Sequence, residues 1–429
     1  MSTKSIKLPN TPPKGTADWW GDEFIIRKYI FDTWRKVCTR YGYNEYLTPI
    51  LETADIYRAK SGEDIGGKEL MTLTDQAGRE LSIRPEMTPS VTRMVTRFYD
   101  TETKPIRLFS IANFFRNEKP QKGRNREFWQ LNFDVFGSES IIADTEIAQI
   151  ALDIILEFGP PKDSFIFYIN NRKLINALLD GVGENGKIKT EIIRTLDKWD
   201  KLSREEFIKK LKKLNLEQNC ISRLIDFMES KSTNELIKKL PKLQNNEGLL
   251  EIQKVMGSLE NLGYADWIQF NPSMIRGFDY YDGMIYEVFD RHPDNNRSMF
   301  GGGRYNGLAS IFGSKSFPAV GFAPGDETTK IFLESWNLVN KILENKKDKY
   351  YLPILSERIT IETQNLAQKL RSKNLNLELG LTTQKLGKAL DYANKKNINK
   401  VIILGEEESE QRIYKIKDMR SGEEGKVKL

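Results

Sequence analysis

The densest run of residues able to do chemistry is FFRNEKPQKGRNREFWQLNFDVFG, residues 114–137. In an extended chain alternate side chains share a face, so Arg116 pairs with Glu118, and Phe128, Gln130, Asn132 and Asp134 form a second row. A guanidinium grips phosphate oxygens bidentately, and a neighbouring aromatic ring stacks a base. Lys119, Lys122, Arg124 and Arg126 lie in the polar stretch between the two rows, an arrangement able to hold polyphosphate or an RNA end. The same residues equally describe the charged tip of an ordinary hairpin.

Three further clusters carry chemistry of their own. RPEMT places Glu86 and Thr88 at the end of a strand pattern, where Glu86 could take a substrate ammonium group or cap the helix that starts near Pro89. IRGFDYYDGMIYEVF sets Arg276, Asp279, Tyr280, Tyr281 and Glu287 around Gly283, and a buried Arg276 needs a substrate carboxylate or an internal partner such as Asp279. MFGGGRYNGL brings three consecutive glycines and Tyr305, allowing a close backbone approach or a tight turn. It has neither a P-loop ending nor the spaced glycines of a dinucleotide site. His292 lies in a polar loop, and no nucleophile stands near it in the sequence to make a hydrolytic triad.

These clusters need elements to hold them. Residues 22–41 repeat apolar positions at helical spacing, and YGYNEYLTPILE then predicts a strand ended by Pro49. Short strands MTLTD and ELSIRPEM lead to two longer ones, KPIRLFSIANFFRN and REFWQLNFDVFG, predicted antiparallel across the polar loop. The helix ADTEIAQIALDIILEF follows. Residues 171–262 change character to six short Leu-, Ile- and Lys-rich helical signals, a helical insertion. Strand patterning then resumes, and from residue 348 a compact strand–helix alternation predicts a small α/β domain with a mostly parallel core. The fold class expected is α+β, divided as 1–170 and 263–346 for the body, 171–262 for the insertion and 347–429 for the terminal domain.

Bulk composition narrows the class. With 429 residues, two or three domains are expected. The two cysteines and single histidine cannot make a Cys/His zinc set. No apolar run approaches a membrane span, so a cytoplasmic protein with no membrane partner is expected. Sixty-six basic against sixty acidic residues permit a polyanionic partner without demanding one.

Taken together, YGYNEYLTPILE, the 114–137 segment, RGFDYY and GGGRYNGL resemble the motifs of histidyl-tRNA synthetase, a class II aminoacyl-tRNA synthetase family, over nearly the whole chain. The combination separates this family from its prolyl, threonyl and glycyl relatives. The resemblance implies an antiparallel sheet flanked by helices, a helical insertion that helps hold tRNA, a C-terminal anticodon-binding domain, and a homodimer built through residues 22–51. It implies a histidine–tRNA ligase that joins L-histidine to ATP as histidyl-adenylate and then to the 3′ end of tRNA(His). Magnesium would bridge the phosphates, with Glu118 or neighbouring acidic residues helping to hold it and no dedicated protein metal site.

Position by position, Glu86 and Thr88 would hold the α-amino group. Arg116 would bind the α-phosphate and the histidine carboxylate. Glu118 and Phe128 would place adenine, with Arg124 also on ATP. Gln130, Asp134, Tyr281 and Tyr305 would surround the imidazole, Asp134 standing where bacterial members more often have Glu. Arg276 would be a second catalytic cation that also meets histidine. Lys119, Gln121 and Arg124 would meet the tRNA acceptor end. In GFAPGDETTK, residues 321–330, the family's motif-3 arginine is replaced by Thr328, and Arg124 or Arg126 is the expected substitute cation. Two relatives without the full reaction compete with this reading: the histidine-sensing regulatory subunit of ATP phosphoribosyltransferase, and an inactive tRNA-binding paralogue.

Overall fold

The computed structural model describes residues 8–59, 61, 64–180, 186–275, 280–295, 297–344 and 348–429. Two compact units meet in sequence between Ile342 and Leu343.

The first unit begins with α1 (Asp22–Arg40), whose buried Ile26, Ile30, Trp34, Val37 and Cys38 recur every three or four residues along one stripe. Asp22 and Glu23 in its first turn and Arg40 in its last suit the helix dipole, and Gly42 at φ +78° turns the chain away. The expected strand over YGYNEYLTP is only β1 (Asn44–Glu45), and Pro49 falls beyond it. Next come β2 (Leu51–Thr53), α2 (Ala54–Arg58), β3 (Met71–Thr74) and β4 (Glu80–Ile83), which make a separate antiparallel sheet in the order β2-β4-β3. After α3 (Thr88–Thr96) the long pair β5 (Ile106–Phe115) and β6 (Glu127–Phe136) run antiparallel, as their alternation predicts, with Phe114 opposite Phe128, Ala112 opposite Gln130 and Leu108 opposite Asp134.

Beyond α4 (Ile141–Leu156), β7 (Phe165–Asn171) enters the main sheet. Six helices then intervene before the chain returns: α5 (Arg172–Leu179), α6 (Gly186–Leu196), α7 (Arg204–Lys212), α8 (Gln218–Met228), α9 (Thr233–Lys239) and α10 (Glu247–Asn261). They correspond to the six helical signals. Polar caps start several of them: the Asn171, Ser203, Ser232 and Asn246 side chains accept from Lys173, Glu206, Glu235 and Leu249 amides. Helix α10 packs on α4, α5 and β7, burying Leu249, Ile252, Val255 and Leu259.

The sheet is completed by β8 (Ile268–Phe270), β9 (Met284–Asp290), β10 (Arg297–Arg304) and β11 (Ala319–Phe322), giving the order β1-β5-β6-β11-β10-β9-β7-β8. The sheet is not wholly antiparallel, since the edge pairs β1/β5 and β7/β8 are parallel. Helix α11 (Asp326–Ser335) joins α1 and α4 on one face, where Trp129 and Phe133 of β6 point. The other face carries a second core of Met87, Val91, Phe114, Tyr280, Tyr305 and Phe317. The triple glycine is not a turn; it lies inside β10. A Cβ at Gly302 would fall 2.2 Å from the Gly321 carbonyl, and one at Gly303 would fall 2.5 Å from the Met284 carbonyl.

The boundary with the second unit falls within the short α12 (Val339–Glu344). It contains β12 (Lys349–Ile354), α13 (Thr360–Ser372), β13 (Asn376–Thr383), α14 (Leu386–Lys395), β14 (Lys400–Ile403), α15 (Glu406–Glu410), β15 (Ile413–Asp418) and β16 (Glu424–Lys428), in the sheet order β13-β12-β14-β15-β16. The first three strands in that order are parallel and the last two add an antiparallel hairpin. Leu352, Leu366, Leu370 and Ile402 fill one face, and Tyr351, Ala389, Ala393 and Val401 fill the other. Among the described residues no helix is long and apolar enough to cross a membrane.

Candidate active site

The β5–β6 pair presents its row of Phe128, Gln130, Asn132 and Asp134 on the face away from α1. Arg116 sits where β5 ends, its amide bonded to the Arg126 carbonyl at 2.8 Å. Its Nε donates to the Pro85 carbonyl at 3.1 Å, and its guanidinium carbon lies 5.0 Å from the Phe128 ring centroid. Phe128 in turn lies 5.8 Å from Phe114, and the Arg84 guanidinium lies 5.2 Å from Phe114. Arg84 is 2% exposed and bonds the Thr48 and Asn113 carbonyls at 2.8 and 2.9 Å. A cation–ring–ring–cation ladder therefore runs from the backbone after β1 to Arg116. Nothing in the local sequence marks Arg84 or Phe114 for this, because the ladder joins separate segments.

Beside it lies a buried acidic pocket. Glu86 is 3% exposed and does not cap α3, whose N-cap is Met87. Its Oε2 accepts from the Tyr280 hydroxyl at 3.1 Å, while Oε1 is a buried oxygen without a partner among the described residues. Burial raises its pKa, with the nearby Ser61 hydroxyl, Arg116 and Tyr280 working against the rise. The Tyr280 ring stands 5.0 Å from Tyr281 and 5.8 Å from Tyr305. Tyr305 donates to Asp134 Oδ1 at 2.6 Å. Burial pushes Asp134 up to about 7, and the Tyr305 bond pulls it back only in part. Gly321 faces Asp134 across the β6–β11 register, and a Cβ there would fall 1.8 Å from Asp134 Oδ1. Gln130 is anchored by its Nε2 to the Ala323 carbonyl at 3.2 Å. Thr88, at the start of α3, is half-buried.

The structure thus gathers Glu86, Tyr280, Tyr281, Tyr305, Asp134 and Gln130 near Arg116 and Phe128. Arg276 and Asp279 lie outside the described residues. The loop from 117 to 126 closes on itself through paired backbone bonds of Gln121 and Arg124, with Gly123 at φ +74°. Lys119, Gln121 and Arg124 are exposed, and Arg124 is 3.7 Å from Glu118. Arg126 is engaged differently from expectation. Its Nε donates to the Glu118 carbonyl at 3.0 Å, and its amide and that of Glu127 both bond the Gly15 carbonyl. His292 has partners within its own loop and beyond it: its Nδ1 accepts from the Asp294 amide, and its ring meets Trp336 edge-on.

The acidic pair at the start of α11 has a structural occupation. Asp326 is buried, accepts the Trp129 amide at 2.9 Å, and forms an ion pair with Arg27 of α1. Glu327 takes the other arm of Arg27 at 2.6 Å, and Trp19 covers the same guanidinium at 4.8 Å. Burial raises the Asp326 pKa, and Arg27 opposes the rise. Thr328 returns its hydroxyl to the Gly325 carbonyl at 3.2 Å, and Lys330 turns to Glu23 at 2.6 Å. Lys330, the cation within α11, is thus held by Glu23 and does not stand in at Thr328, where the resemblance implies an arginine.

Fold and site together place the chain in class II of the aminoacyl-tRNA synthetases. Residues 15–326 match the family model for histidyl-tRNA synthetase, and residues 346–429 match an anticodon-binding domain. A histidine–tRNA ligase of Leptospira biflexa is 38% identical over 420 residues, covering 97% of this chain and 95% of that one. One from Pyrococcus furiosus is 35% identical over 422 residues, covering 97% and 96%. A solved histidyl-tRNA synthetase from Nostoc sp. PCC 7120 superposes with a TM-score of 0.82 over 98% of this chain and 97% of that one, and at 23% identity this speaks for the fold. The chain belongs to the histidyl-tRNA synthetase family.

Proposed function

We propose that the protein is a histidine–tRNA ligase, activating L-histidine with ATP and transferring it to tRNA(His). The observation that carries the reading is the buried pocket of Glu86, Tyr280, Asp134 and Tyr305 set directly beside Arg116 and Phe128. Glu86, with one oxygen unsatisfied, suits an α-ammonium group, and Thr88 stands at the same end. Asp134, oriented by Tyr305, suits an imidazole N–H, with Gln130 and Tyr281 closing the ring's surroundings.

In the first step a histidine carboxylate oxygen attacks the α-phosphorus of ATP in line, and the bond to pyrophosphate breaks. Arg116 lies between Pro85 and Phe128, where it can hold both the attacking carboxylate and the α-phosphate as charge redistributes. Phe128 offers adenine a ring, and Glu118 and Arg124 flank it on the loop. In the second step the terminal adenosine hydroxyl of the tRNA attacks the activated carbonyl, AMP leaves, and the hydroxyl proton is lost. No covalent enzyme intermediate is required. Arg276 is assigned the second catalytic cation by family resemblance. Lys119, Gln121 and Arg124 are exposed and suit contact with the acceptor end.

Among the described residues no three His, Cys, Asp or Glu side chains gather to hold a metal. Glu118, a lone carboxylate beside Arg124, fits a supporting role toward magnesium that enters with ATP. Bound magnesium would neutralise phosphate charge. The exposed Phe24, Leu47, Ile50 and Leu51 suit a homodimer through the first helix and strand, in the cytoplasm.

The test is histidine-dependent ATP–pyrophosphate exchange followed by charging of tRNA(His). Exchange that falls by about 10²–10³-fold in Arg116→Ala is expected for loss of one electrostatic donor. Histidine binding without any exchange would overturn the ligase reading in favour of a histidine sensor.

A further inference from the structure

A buried hydroxyl without a partner costs about 1–3 kcal/mol, so folded proteins hold few of them. Among the described residues, Tyr46 Oη and Ser110 Oγ are two of these hydroxyls, and the carboxylate oxygen Glu86 Oε1 is likewise buried without a partner. They belong to one neighbourhood. Strand β1 runs parallel to β5 with Asn44 opposite Leu108 and Glu45 opposite Phe109, and the Tyr46 amide bonds the Phe109 carbonyl at 2.9 Å. Glu45 turns toward α1, where it pairs with Arg35 at 2.8 Å. Successive side chains alternate, so Tyr46 takes the opposite face, that of Asp134 and Gln130. There it packs against the cluster that contains Met87, Phe114, Tyr280 and Tyr305. Ser110 stands on the same face, opposite Asn132. Burial first, and then the charge of Asp134, hold the Tyr46 phenol well above the ordinary tyrosine range, so it remains a donor.

We propose that Tyr46 is a specificity-determining residue of the amino-acid pocket, its buried hydroxyl donating a hydrogen bond to the imidazole of bound histidine, directly or through one ordered water. The inference rests on the histidine-activating reading of the site. Neutral imidazole carries one donor and one acceptor nitrogen. A carboxylate such as Asp134 takes the donor, and a phenol can serve the acceptor. A hydroxyl whose partner is the substrate discriminates strongly against side chains unable to pair with it.

Tyr46→Phe removes one oxygen and leaves the ring in place. In ATP–pyrophosphate exchange the KM for histidine is expected to rise about tenfold while the KM for ATP stays unchanged. The thermal midpoint is expected to hold or rise, since an unpaired buried hydroxyl has gone. An unchanged KM for histidine would overturn the proposal. A joint fall of kcat and thermal midpoint with no selective change in the histidine KM would also overturn it, leaving Tyr46 a packing role. Exchange by the unaltered protein separates this failure from failure of the ligase reading, which would remove the proposal with it.

Discussion

The two halves of the site are built to different degrees. On the proposed amino-acid side, Asp134, Glu86 and Tyr305 are each less than 5% exposed, and hydroxyl donors from the residue after β10 and from the segment before β9 fix the carboxylates. On the proposed nucleotide side, Arg124 has a side chain 63% exposed, and Thr328, where the family resemblance implies an arginine, is bonded to its own helix start. On the proposed assignment, one half is preorganised by burial, and the other would depend on charges recruited by the phosphates. Asp326 and Glu327 hold α1 through Arg27, so the start of α11 is shaped by packing behind the sheet.

The comparison can be broken most severely at Gly321. A methyl group there meets Asp134 Oδ1 at 1.8 Å, so the carboxylate must move. Overpacking of this kind costs about 1–3 kcal/mol, so Gly321→Ala is expected to raise the KM for histidine by roughly 5- to 150-fold with a much smaller change for ATP, measured in pyrophosphate exchange. Equal loss for both substrates would erase the distinction between the halves.

A smaller effect follows from Asp134 itself. Its folded-state value of about 7 lies above the ordinary 3.8, so it is protonated on the acidic side and becomes the anion as pH rises. kcat/KM for histidine is expected to rise through about pH 7, and Asp134→Asn to remove the part of that rise not due to free histidine. The raised value also means that the native state holds the proton more tightly than the unfolded chain. The stability this group contributes is full below the unfolded carboxyl value and is lost as pH climbs through about 7. The smallest effect belongs to Thr328→Arg. A partly exposed new charge contact is worth about 0.5–1 kcal/mol, so the KM for ATP is expected to fall roughly two- to fivefold while that for histidine holds. An unchanged KM for ATP would show that this position does not face the nucleotide.

Much of this arrangement is legible in the sequence wherever a pattern is local. The alternation over Ile106–Phe115 and Glu127–Phe136 gives the hairpin and assigns Phe128, Gln130 and Asp134 to one face. Polar caps and apolar periodicity mark the six inserted helices. Contacts between distant segments leave no such trace. Arg27 and Asp326 are 299 residues apart, and Tyr280 meets Glu86 across 194. The triple glycine reads equally as a turn until its neighbours are known, because what excludes a side chain there is the carbonyls of Tyr286, Gly321 and Met284 and the rings of Phe322 and Tyr281, all distant in sequence. The strand near Pro49 is overestimated for a related reason: after Glu45 the chain leaves the sheet edge to pass beneath Arg84, whose guanidinium takes the Thr48 carbonyl.

The central claim is that the histidine half is formed before the nucleotide arrives. Calorimetric titration of L-histidine into the ATP-free protein tests it most directly. Saturable binding at one site per chain, weakened in Gly321→Ala, is the predicted result. Histidine that binds only after ATP, or binds equally well to both proteins, would contradict it.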